Sequence, residues 1–101
     1  MIVYNLSIKV STEILDDWLQ WQKQEHIPEI MATGYFTNYK FFRLLEQDES
    51  DDFTYIIQYF ASSIKEYDTY IKEVAPLLHK KTIEKWGDQF IAFRTVMESV
   101  N

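Results

Sequence analysis

Phe53-Thr54-Tyr55-Ile56-Ile57-Gln58-Tyr59-Phe60-Ala61, followed at once by Ser62-Ser63-Ile64-Lys65-Glu66, is the stretch on which the fold turns. Its first part is rich in β-branched and aromatic residues. Read at period two, it puts Phe53, Tyr55, Ile57 and Tyr59 on one face and Ile56 and Phe60 on the other. A strand that is apolar on both faces is one that is covered on both faces. Ser63 and Glu66 then form a Ser-x-x-Glu capping box that opens a helix. The apolar stripe of that helix is Ile64, Tyr67, Ile71, Val74 and Leu78, at helical spacing.

Working toward the N-terminus, Tyr35 to Leu45 reads as a strand, joined to the first stretch by the acidic segment Glu46 to Asp52. The five carboxylates of that segment lack the glycine and spacing of a calcium loop, so it reads as a solvated hairpin tip. Gly34 sits where a helix needs a left-handed terminal residue. Before it, Ile14, Leu15, Trp18, Leu19 and Trp21 mark a helix that Pro28 interrupts late, with Ser11 and Thr12 placed to cap it. Met1 to Val10 alternates strictly and is a strand with one buried face. Toward the C-terminus, Pro76 interrupts the second helix and Gly87-Asp88 ends it. Gln89 to Val100 is the last strand, with Ile91, Phe93 and Met97 opposing Phe90, Ala92 and Val96.

The order is therefore β-α-β-β-α-β, two halves of the same layout. It predicts an α+β ferredoxin-like sandwich: a four-stranded antiparallel sheet with two helices on one face. Helices on one face leave the other uncovered, and the two-sided strands require a cover there. A homodimer packed sheet to sheet, a dimeric α+β barrel, is the simplest one.

At 101 residues the chain has room for a single domain, residues 1–101. With no cysteine, it has neither a disulfide framework, a thiol nucleophile nor a cysteine-ligated metal. The net charge of −6 argues against a nucleic-acid partner. No apolar run is long enough for a membrane helix and no signal sequence opens the chain, so a cytoplasmic protein is expected. Aromatic residues make up 17%, a large share for a chain of this size, which buries only about 60–65% of its unfolded surface. Either many rings are exposed or a partner covers them.

The chain resembles the bacterial family called domain of unknown function 4286. The likeness rests on Met1-Ile2-Val3-Tyr4-Asn5, Trp18-x-x-Trp21, Glu25-His26-Ile27-Pro28, Ala32-Thr33-Gly34-x-Phe36, Gln58-Tyr59-Phe60-Ala61 and Gly87-Asp88-x-Phe90-x-Ala92-Phe93-Arg94-Thr95. It runs nearly end to end and brings no activity with it. In layout the chain is similar, more distantly, to the dimeric α+β-barrel superfamily, which includes cofactor-independent monooxygenases and haem-degrading enzymes. The haem-degrading group pairs an Asn, a Trp and a His. Asn5 and His79 could be nominated, but no strand of this chain carries a tryptophan, and those roles are not carried over.

One cluster stands out as a candidate site. Gln22 and Glu25 fall on the arc of Trp18 and Trp21, with His26 at its edge, just before Pro28. An imidazole beside a carboxylate at the mouth of an aromatic cavity would serve as a general base or a ligand anchor, with His26 and Glu25 as the catalytic candidates. The competing reading is that His26 caps a kinked helix end or hydrogen-bonds the sheet. Arg94, among apolar strand residues, reads either as an anchor for an anionic group or as a salt bridge to Glu25, Glu98 or a second subunit. Tyr4, Tyr55 and Tyr59 either line a pocket or fill the core. His79, beside Lys80 and Lys81, reads as a solvated helix end.

No phosphate-loop, metallohydrolase or serine-hydrolase motif is present, so neither cofactor nor metal is expected. Two functions stay open. One is an enzyme or binder of a small apolar or aromatic molecule, using Tyr4, Trp18, Gln22, Tyr59 and Arg94. The other is a non-catalytic dimerisation or regulatory module.

Overall fold

The computed structural model of the protein describes residues 1–46 and 52–101. The acidic segment read as a hairpin tip lies, at residues 47–51, outside the described residues. Strand β1 (Ile2–Val10) keeps the alternation of its sequence: Ile2, Tyr4, Ile8 and Val10 are buried, and Lys9 on the other face is exposed. It runs antiparallel to β3 (Phe53–Ala61) on one side and to β4 (Phe90–Glu98) on the other. β3 also pairs with β2 (Asn38–Arg43), and the sheet order is β2-β3-β1-β4. Tyr4 stands opposite Tyr59 and Val96, and Leu6 opposite Ile57 and Arg94.

β2 is shorter than the Tyr35–Leu45 reading. Phe36 leaves the strand to be buried among the core rings, while Thr37 donates its backbone N–H and its hydroxyl to the Phe60 carbonyl at 2.7 and 3.2 Å. Gly34 (φ +82°) takes the positive φ read for it after the first helix, and Gly87 (φ +62°) ends the second helix, as read.

The first helix departs from its reading at both ends. It begins at Leu15 (α1, Leu15–Trp21) with Ile14 in the capping position, and Ser11 only accepts the Glu13 backbone N–H at 3.4 Å. Pro28 does not interrupt it either. Gln22–His26 forms a π-helical turn, closed by Ile27 N–H donating to the Gln22 carbonyl, and α2 (Ile27–Met31) continues through the proline. Proline lacks an N–H and crowds the carbonyl four residues back; widening the preceding turn absorbs that conflict where a kink otherwise would. The second helix does break. α3 (Ile64–Glu73) stops at Val74 and α4 (Ala75–Trp86) restarts with Pro76 in its first turn. The capping box closes side chain to side chain, Ser63 Oγ donating to the Glu66 carboxylate, and the Ser63 side chain makes no capping bond to the helix backbone.

The core lies between these helices and one face of the sheet, with Val10, Trp18, Ile27, Ile57 and Tyr59 its largest fully buried side chains. Its rings form three groups, Tyr4, Phe36, Tyr59, Tyr67 and Tyr70 in one, Trp18, Phe41 and Tyr55 in another, and Trp21 with Trp86 and His26 in the third. Within one chain, β4 is not covered on both faces as its sequence implied. Ala92, Arg94 and Val96 are exposed on the helix-facing side, and Ile91, Phe93 and Met97 on the other.

Candidate functional site: a cavity between the helix layer and the sheet

Where the helices fall short of β4, a cavity of about 400 Å³ opens between them and the sheet. The sheet supplies Tyr4, Leu6, Ile8, Ile57, Tyr59 and Arg94, and the helices supply Trp18, Gln22, His26, Ile30, Tyr70, Leu78, His79 and Thr82. The wall is mostly apolar, with a few polar atoms set into it, as small-molecule sites generally are.

Two polar atoms of the lining residues are themselves fully buried and without a partner: Gln22 Oε1 on the helix side and the Tyr59 hydroxyl on the sheet side. A buried polar group left unpaired costs about 1–3 kcal/mol, so most such groups in folded proteins are satisfied. Trp86 Nε1 is likewise unpartnered but lies outside the cavity, edge-on to Trp21. Burial raises the pKa of the Tyr59 and Tyr70 hydroxyls and pushes Tyr4 up to about 12, the last against the opposing field of Arg94. All three phenols are therefore protonated at neutral pH and can donate hydrogen bonds.

His26, carried on the π-helical turn with Gln22, stacks flat on Trp21 with ring centroids 4.3 Å apart. Burial lowers its pKa from 6.5 to about 4, outweighing the upward pull of Glu29. The imidazole is neutral at pH 7. The carboxylate that acts on it is Glu29, which pairs with Lys81 at 3.2 Å; Glu25, the carboxylate predicted to accompany it, is exposed and does not line the cavity. Position 25 lies on the outer side of the widened turn, a phase that a uniform helical wheel does not give. Tyr55 also stays out of the cavity, packed on Trp18 and Phe41.

The structure thus brings Tyr4, Trp18, Gln22, His26, Tyr59 and Arg94 to one cavity. Arg94 forms no ion pair with Glu25 or Glu98. Sequence reading passed over Tyr70 and Thr82 and dismissed His79. His79 is exposed, but it lies within α4 at the cavity rim, because the helix runs on to Trp86. Its three-residue spacing from Thr82 was the available signal. Among the described residues, no group of His, Asp or Glu side chains is placed to hold a metal, and no helix is long and apolar enough to cross a membrane.

The pKa of His26 predicts how stability depends on pH. The unfolded chain takes up this proton near pH 6.5 and the folded chain near pH 4. Between those values the unfolded state binds more protons, so the stability His26 contributes is complete above pH 6.5 and is lost as pH falls toward 4. Going from pH 7 to pH 5 should cost the wild type about 2 kcal/mol more than His26→Leu, as read by urea denaturation of both proteins. Equal losses would mean that the imidazole is solvated.

The fold is that of a ferredoxin-like α+β protein. Residues 1–100 match the family described as Domain of unknown function (DUF4286), and the chain belongs to that family. No curated protein matches it. Among solved structures it is similar to HapK from Hahella chejuensis, with a TM-score of 0.73, 10% identity and coverage of 100% of this chain and 94% of that one. It is also similar to SnoaB, a cofactor-independent oxygenase from Streptomyces nogalater (TM-score 0.68, 7% identity, 99% of this chain and 94% of that one). A third is a dimeric ferredoxin-like protein from an uncultured marine organism (TM-score 0.67, 8% identity, 99% and 96%). At these identities the likeness is one of fold, and fold does not fix function.

Proposed function

We propose that this protein binds a small, mostly apolar aromatic molecule in the cavity between its helix layer and sheet, and that it does so in the cytoplasm as a homodimer. The observation that carries the binding reading is the pair of buried, unpartnered polar atoms, Gln22 Oε1 and the Tyr59 hydroxyl, carried by residues in opposite walls of one aromatic-lined space. A ligand with a hydrogen-bond donor for the amide oxygen and an acceptor for the phenol would satisfy both. Its rings would replace water against Tyr4, Trp18 and Tyr70. The dimer reading is supported by the apolar side chains on the uncovered sheet face and by the dimeric state of one structural neighbour.

Gln22→Leu tests the binding reading. Leucine is close in size to glutamine and removes the unpaired oxygen, so the variant should be more stable than wild type by about 1–2 kcal/mol in urea. Binding of N-phenyl-1-naphthylamine, a neutral aromatic amine that offers one N–H donor, should weaken about tenfold, the worth of one hydrogen bond. A variant that is less stable and binds the dye as well as wild type would assign Gln22 to structure and sink the proposal. A site residue kept at the expense of stability is the opposite of a packing residue.

A further inference from the structure

Resting on that binding reading, we infer that the cavity is built for an aromatic organic anion, with its acidic group held by Arg94 at the β4 edge and its rings directed inward toward Gln22 and Tyr59.

The charge pattern carries the argument. The chain holds 16 Asp and Glu against 10 Lys and Arg, yet no carboxylate lines the cavity among the described residues. Its single formal cation is Arg94. Of the two histidines, His26 is neutral at pH 7 through burial. An acidic protein that keeps its carboxylates off one wall and sets one guanidinium there offers an anion a cationic partner with no like charge in that wall.

Arg94 is also available. It stands opposite Leu6 on the helix-facing side of the sheet, on the edge strand that the helices do not reach. Among the described residues it takes part in no ion pair or side-chain hydrogen bond; the group that feels its charge is the Tyr4 phenol. A guanidinium presents a planar fork of donors that a carboxylate or sulfonate meets with two parallel bonds. Because Arg94 is exposed, the acidic head stays near water and the desolvation cost of a buried pair is avoided. The apolar rings can then lie deeper. The polarity of the site is graded: cationic at the mouth, neutral donors and an amide acceptor within.

Two dyes of one skeleton separate this inference from the reading beneath it. Anilinonaphthalene sulfonate and N-phenyl-1-naphthylamine share their rings and amine and differ by the sulfonate. Wild type should bind the sulfonate about tenfold more tightly than the neutral dye, the ratio expected of one charge-assisted pair. In Arg94→Gln that preference should fall to parity, and in Arg94→Lys part of it should return, since a point charge lacks the fork. Added salt should erode the preference in wild type and leave the ratio in Arg94→Gln unmoved. Equal binding of both dyes by wild type, or a preference that survives Arg94→Gln, overturns the anion inference while the cavity reading stands. Failure of the neutral dye to bind at all overturns both. Sulfonate binding that persists in Ala75→Trp, where an indole fills the cavity, also overturns both, because the dye then sits on another surface.

Discussion

Trp18→Ala should leave the protein barely folded. Trp18 is 1% exposed and packs between α1 and the sheet, with its ring centroid 5.6 Å from Tyr55 and 6.1 Å from Phe41. Truncating a buried tryptophan costs about 3–5 kcal/mol, the spread depending on how far the surroundings collapse into the hole. Here collapse is hindered. Trp18 also lines the cavity, so the void left by the indole merges with space that is already there. The cost should fall at the upper end, a large part of the roughly 5–15 kcal/mol that stabilises a domain of this size. Urea denaturation followed by circular dichroism measures it. Trp21→Ala is the comparison, since that indole is only half-buried and should cost clearly less. A Trp18→Ala protein within about 1 kcal/mol of wild type would mean the indole is not part of the core.

The strands were legible because their signals are local. Alternation over Ile2–Val10 and Phe53–Ala61, with glycines at 34 and 87, marks the two central strands and the helix ends without help from tertiary structure. Phe36 was misplaced for the opposite reason. Tyr35-Phe36 has strand chemistry, but the pull of the ring into the Tyr4, Tyr59 and Tyr70 cluster outweighs that propensity.

Most of the site residues could be picked out as types, but their phase could not. The π-helical turn widens the helix between Trp21 and Ile27, so a wheel drawn at a constant angle places Glu25 inward, and a helix taken to be interrupted at Pro28 leaves out Glu29. The break at Val74 does the same to the second helix: one stripe drawn from Ile64 to Leu78 spans two helices of different phase and misses the rim position of His79. Prolines advertise that something happens to a helix. Whether the response is a π turn, as at Pro28, or a restart, as at Pro76, is decided by what each segment packs against.

Ile56→Glu should convert a dimer into a monomer. On the face turned away from the helices, the register sets side chains in rows across the sheet. Phe93, Ser7, Ile56 and Phe42 form one row, and Met97, Val3, Phe60 and Asn38 another. Phe93 is 68% exposed, Phe42 46% and Met97 42%, apolar area that a second copy would remove from water. Between the rows runs a polar ladder: Gln58 Nε2 donates to Asn5 Oδ1 and Asn5 Nδ2 donates to Thr95 Oγ1, each at 3.2 Å. Those groups already satisfy one another in part, so covering them leaves few orphans. In a two-fold interface each substitution counts twice. At about 2 kcal/mol per buried carboxylate, Ile56→Glu should weaken association about a thousandfold. Light scattering at micromolar concentration reads the change directly, and a wild-type chain that is itself monomeric there would end the dimer reading. Because Ile56 points away from the cavity, the monomeric variant should still bind N-phenyl-1-naphthylamine. Retained binding would place the ligand site within one chain, and its loss would mean that the second copy completes the cavity at the edge the helices leave open.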